Sequence, residues 1–427
     1  MPTAACSNTG AFVIYLGIDW SKSEIVVAVS QGGAKPRHLG SFDRSRKGVE
    51  GLVRRLRKQG ACGADAIVGV IEAGAPGWQA LLHDAGIELH VADPKQAKSF
   101  AASLGSSGAK DDRRDAAALC LMAQSPVHRG ERWTPHAGVH AQLVVLSKGH
   151  QTLSEESTRA RQRLRALLRE ENTAVEALIR SLDVHWCHAL LQAYPTAWHL
   201  AAATPEALDA VLGGTRCPMD KRAALVQVLA DARRSSWQSE GLAQVQGLVI
   251  QQLLTQVSLL KAQLKVLDDR IDACLQQLTE AQHIMQINGI GRQLTARILR
   301  FLGPLEGSGQ RDHASIALGV APVFQGSGTD RMGRPKGQVR MRKSVDPHAR
   351  ATGYLLGRLA TQNLDWARAK YADALARGKN SATAYRIVAR SMLRIITAIQ
   401  KTGQPYDHDR YVRRLKANGV PWAMGLG

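Results

Sequence analysis

Apolar and polar positions alternate in two distinct rhythms along this 427-residue chain. VIYLGIDW (13–20) and EIVVAVS (24–30) are β-branched runs joined by the short SKS, the pattern of a hairpin. SRKGVEGLVRRLRKQ (45–59) switches to helical periodicity with a basic outer face, and AIVGVIEAG (66–74) returns to a buried strand that ends at Glu72. A helix around 76–85, a strand ELHVAD (88–93) stopped by Pro94 and a helix near 94–103 follow. After the loop LGSSGAK comes a helix carrying Asp112 and Asp115. Strands interleaved with helices in this order predict an α/β domain on a mixed sheet.

Beyond it the helical rhythm takes over. Residues 142–171 read as one long helix, and its stretch RARQRLRALLRE carries Arg159, Arg161, Arg163, Arg165 and Arg169. A solvated face or a surface tracking phosphates would both fit it. Residues 172–240 are helical with Pro and Gly breaks and show no recognisable chemistry. From Ile250, apolar residues recur three and four apart: Leu253, Val257, Leu260, Leu264, Leu267, Ile271, Cys274 and Leu278. Sustained over four heptads, this predicts a coiled coil, formed within the chain or between copies. INGIGRQLTARILRFLG (287–303) places G-I-G before an amphipathic helix; a phosphate-contacting helix hairpin or a tight helix corner could each explain it.

Charge changes the picture. The chain holds 56 Lys+Arg against 36 Asp+Glu, a formal net charge of +20, which favours a polyanionic partner, nucleic acid before an anionic membrane surface. Residues 284–427 hold 24 Lys+Arg and 8 Asp+Glu, so most of the surplus lies in this third. Within it RMGRPKGQVRMRKSVDPHAR (331–350) has seven basic residues and one acid, in a loop by its Gly and Pro. No apolar run approaches the roughly 18 residues of a membrane span. MPTAACSNTGAF reads as a frayed lead-in without the features of a secretion signal. Six scattered cysteines without C-x-x-C argue against zinc or a disulfide framework and for a reducing cytosol.

Against this basic background, GAKDDRRDAAAL (108–119) concentrates aspartates. Asp112 and Asp115, three apart, share a helix face. With Asp19 and Glu72 at strand ends they could meet at one sheet edge and hold a hard cation such as Mg²⁺, or two ions about 3.5–4 Å apart acting on a phosphodiester. Singly, Asp19 could cap a turn before Ser21, Glu72 could be a surface acid, and Asp112 could be an N-cap. Ser327, between Gly326 and Gly328 in the basic loop, could be an exposed nucleophile or part of a plain Gly/Ser turn. No P-loop and no Ser/His/Asp spacing is present. A sugar-kinase-like fold also opens on a G-I-D hairpin, but no adenosine-binding glycine motif follows.

Taken together, these stretches resemble the bacterial insertion-sequence transposases of the "one-ten" group, the DEDD transposases related to the Piv DNA invertase. YLGIDWSKSEIVVAV resembles the family's opening hairpin, with its first acid at Asp19. VGVIEAGAPGWQALLHDAGIELHVADPKQAKSFA resembles the stretch with the second, at Glu72, and GAKDDRRDA the K-T-D-x-x-D-A motif, at Asp112 and Asp115. INGIGRQLTARILRFLGPL and SIALGVAPVFQGSG resemble the C-terminal transposase domain, whose serine falls on Ser327. Three departures stand out: Asp111 in place of the usual Thr, Gly326 in place of a serine before the nucleophile, and a drawn-out basic stretch after it.

The resemblance implies an α/β plus α chain: a RuvC-like, RNase H-fold catalytic domain (13–132) after a flexible start (1–12), a helical region with the basic helix (133–240), a coiled coil (241–282), a small, mostly helical transposase domain with the serine (283–400) and a basic tail (401–427). It further implies Mg²⁺ on the four acids, attack of the serine on double-stranded DNA at element ends and target, a site composed from two subunits of a dimer or tetramer, guidance by a structured noncoding RNA, and work at the nucleoid of a bacterial cytoplasm. Nucleic-acid contacts are expected at Lys110, Arg159, Arg163, Arg165, Arg334, Lys336, Arg340, Arg342 and Lys343. A RuvC-like nuclease without a covalent intermediate, or a non-catalytic nucleic-acid scaffold, are the alternatives.

Overall fold

The computed structural model describes residues 13–59, 66–105, 111–130, 132–135, 138–235, 239–303, 312–326, 338–341 and 345–426. The expected hairpin forms from β1 (Ile14–Trp20) and β2 (Glu24–Gln31). Its tight turn closes on Ser21, whose backbone N–H donates to the Glu24 carbonyl at 2.8 Å while its Oγ accepts from the Glu24 N–H at 3.2 Å. A third strand, β3 (Arg37–Asp43), pairs antiparallel with β2. Its pattern is faint in the sequence because RHLGSFD buries only Leu39. α1 (Arg46–Lys58), capped by Ser45, leads to β4 (Ile67–Glu72), α2 (Pro76–Asp84) and β5 (Glu88–Ala92). Asp93 caps α3 (Pro94–Ser103), and α4 (Asp112–Gln124) completes this part.

The five strands lie in the order β3-β2-β1-β4-β5, with β1, β4 and β5 mutually parallel. Period-two alternation gives the sheet two faces. Ile14, Leu16 and Ile18 point to one face, where Leu52 and Leu56 of α1 and Trp78 and Leu82 of α2 join them in one core. Opposite, Val26, Ala28 and Val70 meet Ala116, Cys120 and Met122 of α4. Gly17 sits where α4 crosses β1. A Cβ there would stand 1.9 Å from the Ala116 carbonyl oxygen and 2.1 Å from the Cys120 nitrogen, so only hydrogen lets the two backbones meet.

The chain divides into two compact units, one of residues 1–141, 301–402 and 407–427, the other of 142–300 and 403–406. The second unit is helical: α5 (Gly138–Glu171), α6 (Thr173–Leu178), α7 (His185–Ala193), α8 (Ala197–Ala201), α9 (Pro205–Gly213), α10 (Met219–Ser235), α11 (Glu240–Gln276), α12 (Thr279–Met285) and most of α13 (Arg292–Leu302). It joins the basic-helix region and the heptad segment, which the sequence had suggested as separate parts. α5 and α11 run antiparallel: Glu171 accepts a hydrogen bond from Gln246, His150 meets Asp268 at 3.1 Å, and Gln142 meets Cys274 at 3.9 Å. The heptad residues Ile250, Val257 and Leu260 thereby share a core with Ala160, Leu164 and Leu168 of the same chain. Leu253, Leu264 and Leu267 are half-buried.

In the first unit the C-terminal part comprises α14 (His313–Ala317), a two-stranded ribbon of β6 (Pro322–Gln325) and β7 (Gln338–Met341), then α15 (Pro347–Asn363), α16 (Asp365–Ala376), α17 (Ser381–Thr402) and α18 (His408–Ala417). The ribbon lies within and beside the stretch 331–350 that reads as loop. α18 stands in the segment read as a basic tail; Val412 buries its apolar side, and Tyr411 packs edge-on against the buried Trp366, ring centroids 5.0 Å apart.

Gly17→Ala is expected to push α4 off the sheet and lower unfolding free energy by on the order of 1–3 kcal/mol or more, the range for overfilling a close-packed contact. A urea titration followed by circular dichroism measures it, and an unchanged midpoint would refute the backbone contact.

Candidate functional site

Where the sheet forks, three acids from two segments, Asp19 of β1 and Asp112 and Asp115 of α4, converge, with the charge of Glu72 of β4 within reach. The β1–β4 ladder ends at Ile18 and Ile71, so Asp19 and Glu72 stand one residue beyond it. Alternation turns both toward the α4 side of the sheet. On α4, Asp111 is the N-cap, its carboxylate accepting from the Arg113 N–H at 3.0 Å. The cap role therefore falls to Asp111, and Asp112 begins the helix with Asp115 one turn on, both in its first turn. The positive end of the helix dipole favours carboxylates there.

Carboxylate oxygens of Asp19, Asp112 and Asp115 lie within 4.8 Å of one another. Glu72 is not in that trio, but its charge still reaches Asp19. The crowding shows in Asp19, whose carboxyl is pushed up to about 6. Burial is the main cause, followed by the charges of Asp112 and Asp115, with that of Glu72 smallest; a hydrogen bond from the Trp20 backbone opposes them. Three oxygen donors this close form the donor set that a hard divalent cation takes.

Trp20 holds the fork in shape. Its indole N–H donates to the Glu72 carbonyl at 3.2 Å, and its ring lies where a Cβ on Gly74 would come within 3.0 Å. Gly74 itself has φ +113, a conformation that favours glycine. Sequence reading did not single out Trp20, since its partner is a backbone atom 52 residues away. Gly17 left a faint trace, an isolated glycine inside an apolar strand run, which marks close backbone approach.

The expected nucleic-acid contacts divide. Arg159 and Arg163 are exposed on α5. Arg165 is instead turned inward, donating to Glu176 at 2.9 Å and to the carbonyls of Ile179 and Arg180, which ties α5 to the segment after α6. Arg340 is exposed on β7, across from Val323 of β6, and β6 ends two residues before Ser327. Ser327, Lys110, Arg334, Lys336, Arg342 and Lys343 lie outside the described residues. Of the cysteines, Cys120, Cys187, Cys217 and Cys274 are buried with free thiols. No helix among these residues is long and apolar enough to cross a membrane.

Similarity to known proteins falls on these same segments. A family model described as Transposase, of the DEDD IS110 type, matches residues 16–172, which hold all four acids. A second, described as Transposase IS116/IS110/IS902 family, matches residues 281–372, which include Ser327. The chain is also 25% identical over 303 residues to the insertion element IS110 uncharacterized 43.6 kDa protein of Streptomyces coelicolor, covering 70% of this chain and 72% of that one. Two matched family models, one over the segment with the four acids and one over the C-terminal part, leave one assignment: the chain belongs to the IS110 family of insertion-element transposases and is an enzyme of DNA transposition.

Proposed function

We propose that this transposase cuts and rejoins DNA at the acidic edge of its sheet, with Asp19, Glu72, Asp112 and Asp115 holding two Mg²⁺ ions and Ser327 attacking the phosphodiester. The observation that carries the proposal is the meeting of Asp19, from β1, with Asp112 and Asp115, from α4, within 4.8 Å. The strand order β3-β2-β1-β4-β5, three antiparallel strands followed by two parallel ones, supports a RuvC-like RNase H fold for this domain. Bound cations would polarise the scissile phosphate and stabilise the attacking and leaving oxygens. Ser327 Oγ would form the new bond to phosphorus as the bond to the leaving deoxyribose oxygen breaks, and the hydroxyl proton would pass to that oxygen. The DNA stays joined to the protein until a second strand end reverses the step.

Two partners belong to the same reading. The surplus of basic residues after position 284, with exposed Arg159, Arg163 and Arg340, supports binding of a structured guide RNA beside the DNA. α11 supports self-association. Its heptad stripe faces α5, but Leu242, Val245, Val249, Leu259 and Val266 remain exposed at three- and four-residue multiples on another face, Val245 and Val266 by 62% and 60%. A second copy covering that stripe would make the dimer or tetramer in which one subunit's serine serves another's acids.

Adding Mg²⁺ at pH 7.5 is expected to raise the melting temperature, and Asp19→Asn should abolish that response. The raised Asp19 carboxyl contributes stability that is fully present below pH about 4 and lost as pH rises through about 6. In the absence of metal, Asp19→Asn should therefore melt higher than wild type above pH 6, by on the order of 2–4 °C for about 1 kcal/mol from no longer burying a charge and from relieved repulsion, after solvent screening. Differential scanning fluorimetry across pH checks both, and an equal Mg²⁺ response in the variant would refute the metal site. Ser327→Ala should still bind DNA yet form no covalent protein–DNA adduct, with transposition of a marked element falling on the order of 10³-fold or more. Adduct-free cleavage by wild type would instead favour attack by water. Leu259→Asp/Val266→Asp should shift the protein to a smaller species in light scattering, and an unchanged mass would remove α11 from the subunit interface.

A further inference from the structure

The outer face of α1 carries six basic residues, Arg46, Lys47, Arg54, Arg55, Arg57 and Lys58, against one acid, Glu50. Its inner face is fully used, with Val49, Leu52 and Leu56 buried in the core. Between α1 and α2 runs a groove of about 510 Å³, lined from α1 by Arg46, Glu50, Val53, Arg54 and Arg57 and from α2 by Leu81 and Asp84. All three arginines are exposed, and none has an ion-pair partner among the described residues. Three guanidinium groups spaced along a groove that holds two carboxylates, Glu50 and Asp84, fit a phosphodiester backbone better than a small acid, since a long polyanion meets successive charges.

Topology says which backbone. β3 and β4 both run toward the end of the sheet where Asp19 and Glu72 stand, because β4 is parallel to β1 and β3 is antiparallel to β2. α1 and α2 follow those strands, so both begin at the acidic end and run away from it, on the sheet face opposite α4. Arg46 thus stands at the groove's mouth, the end that shares the acidic end of the sheet, on the face opposite α4. Arg44, whose guanidinium donates to the Lys22 carbonyl at 3.5 Å, flanks it on the hairpin side. Arg54 and Arg57 lie down the groove, the last about 16 Å along the helix from Arg46 at 1.5 Å per residue. Glu50, one turn from both Arg46 and Arg54, separates a contact at the mouth from a pair of contacts at the far end.

We infer that the α1–α2 groove holds the flank of the double-stranded DNA that leaves the acidic edge, with Arg46 at the mouth and Arg54 and Arg57 gripping its backbone further out. The inference rests on the acidic edge being where DNA is cut, and it assigns DNA-holding residues to a helix outside the four acids, the serine and the basic loop.

Binding without cleavage tests it. Affinity of full-length protein for a 30-base-pair DNA duplex and a 30-base-pair RNA duplex is measured by fluorescence anisotropy in EDTA over a salt series. Each phosphate contact contributes about 0.9 to the slope of log K against log salt, so Arg54→Ala/Arg57→Ala should flatten the DNA line by about two. The RNA line should keep its slope. An unchanged DNA slope overturns the inference; so does an equal flattening for RNA, which would reduce the effect to bulk charge, and so does a change for RNA alone, which would give the groove to the guide. Both arginines are exposed, and an unaltered melting curve verifies folding. A retained Mg²⁺ response in the variant shows the acidic site intact, so loss of this groove and failure of the metal site are told apart.

Discussion

At Gly17 the backbone of β1 meets the backbone of α4 with no side chain between them, and the acidic edge follows from that contact. Ordinary side chains between a helix and a strand would hold the two backbones further apart. Here the Ala116 carbonyl and the Cys120 amide occupy the space a Cβ would need, and the Cys120 thiol donates to the Tyr15 carbonyl at 3.3 Å. The close approach brings the first turn of α4 level with the end of β1. Asp112 and Asp115 reach Asp19 as a consequence, three residues from segments more than ninety positions apart.

The cluster is held together against its own electrostatics. Three carboxylates within 4.8 Å repel, and burial first, then that repulsion, pushes the Asp19 carboxyl up. What opposes it is local: the N-terminal end of α4, capped by Asp111, and the Trp20 backbone hydrogen bond. Trp20 adds a mechanical constraint by fastening the fork to the Glu72 carbonyl. A site that is rigid in backbone and unfavourable in charge without a counter-ion is suited to taking one up, in a chain whose remaining surface attracts the phosphates on which such an ion would act.

The helical unit shows the same economy of faces. α11 is apolar on more than one side, and the stripe with the clearest heptads lies against α5 of its own chain. Polar pairs fix the register of this antiparallel pairing, His150 with Asp268 and Glu171 with Gln246. A heptad pattern reports that a helix has a partner; it carries no information on whether that partner belongs to the same molecule.

Much of the architecture was legible in the residues. The hairpin, β4, α1, the long α5 and α11 follow from periodicity, which reports the burial of one face and needs no knowledge of the partner. The four acids and the basic third were legible too, as residue types and charge. β3 was not, because RHLGSFD buries one apolar side chain and its pairing depends on β2. Arg165 was indistinguishable from Arg163 along the chain, yet two residues on a helix turn it by half a circle, from solvent toward Glu176. The sequence by itself determined the segments, their amphipathic faces and the family to which they belong. Distances between segments, which no local pattern encodes, set which carboxylates share an ion-sized space, which aspartate is the helix cap, and that Gly17 is what lets α4 approach.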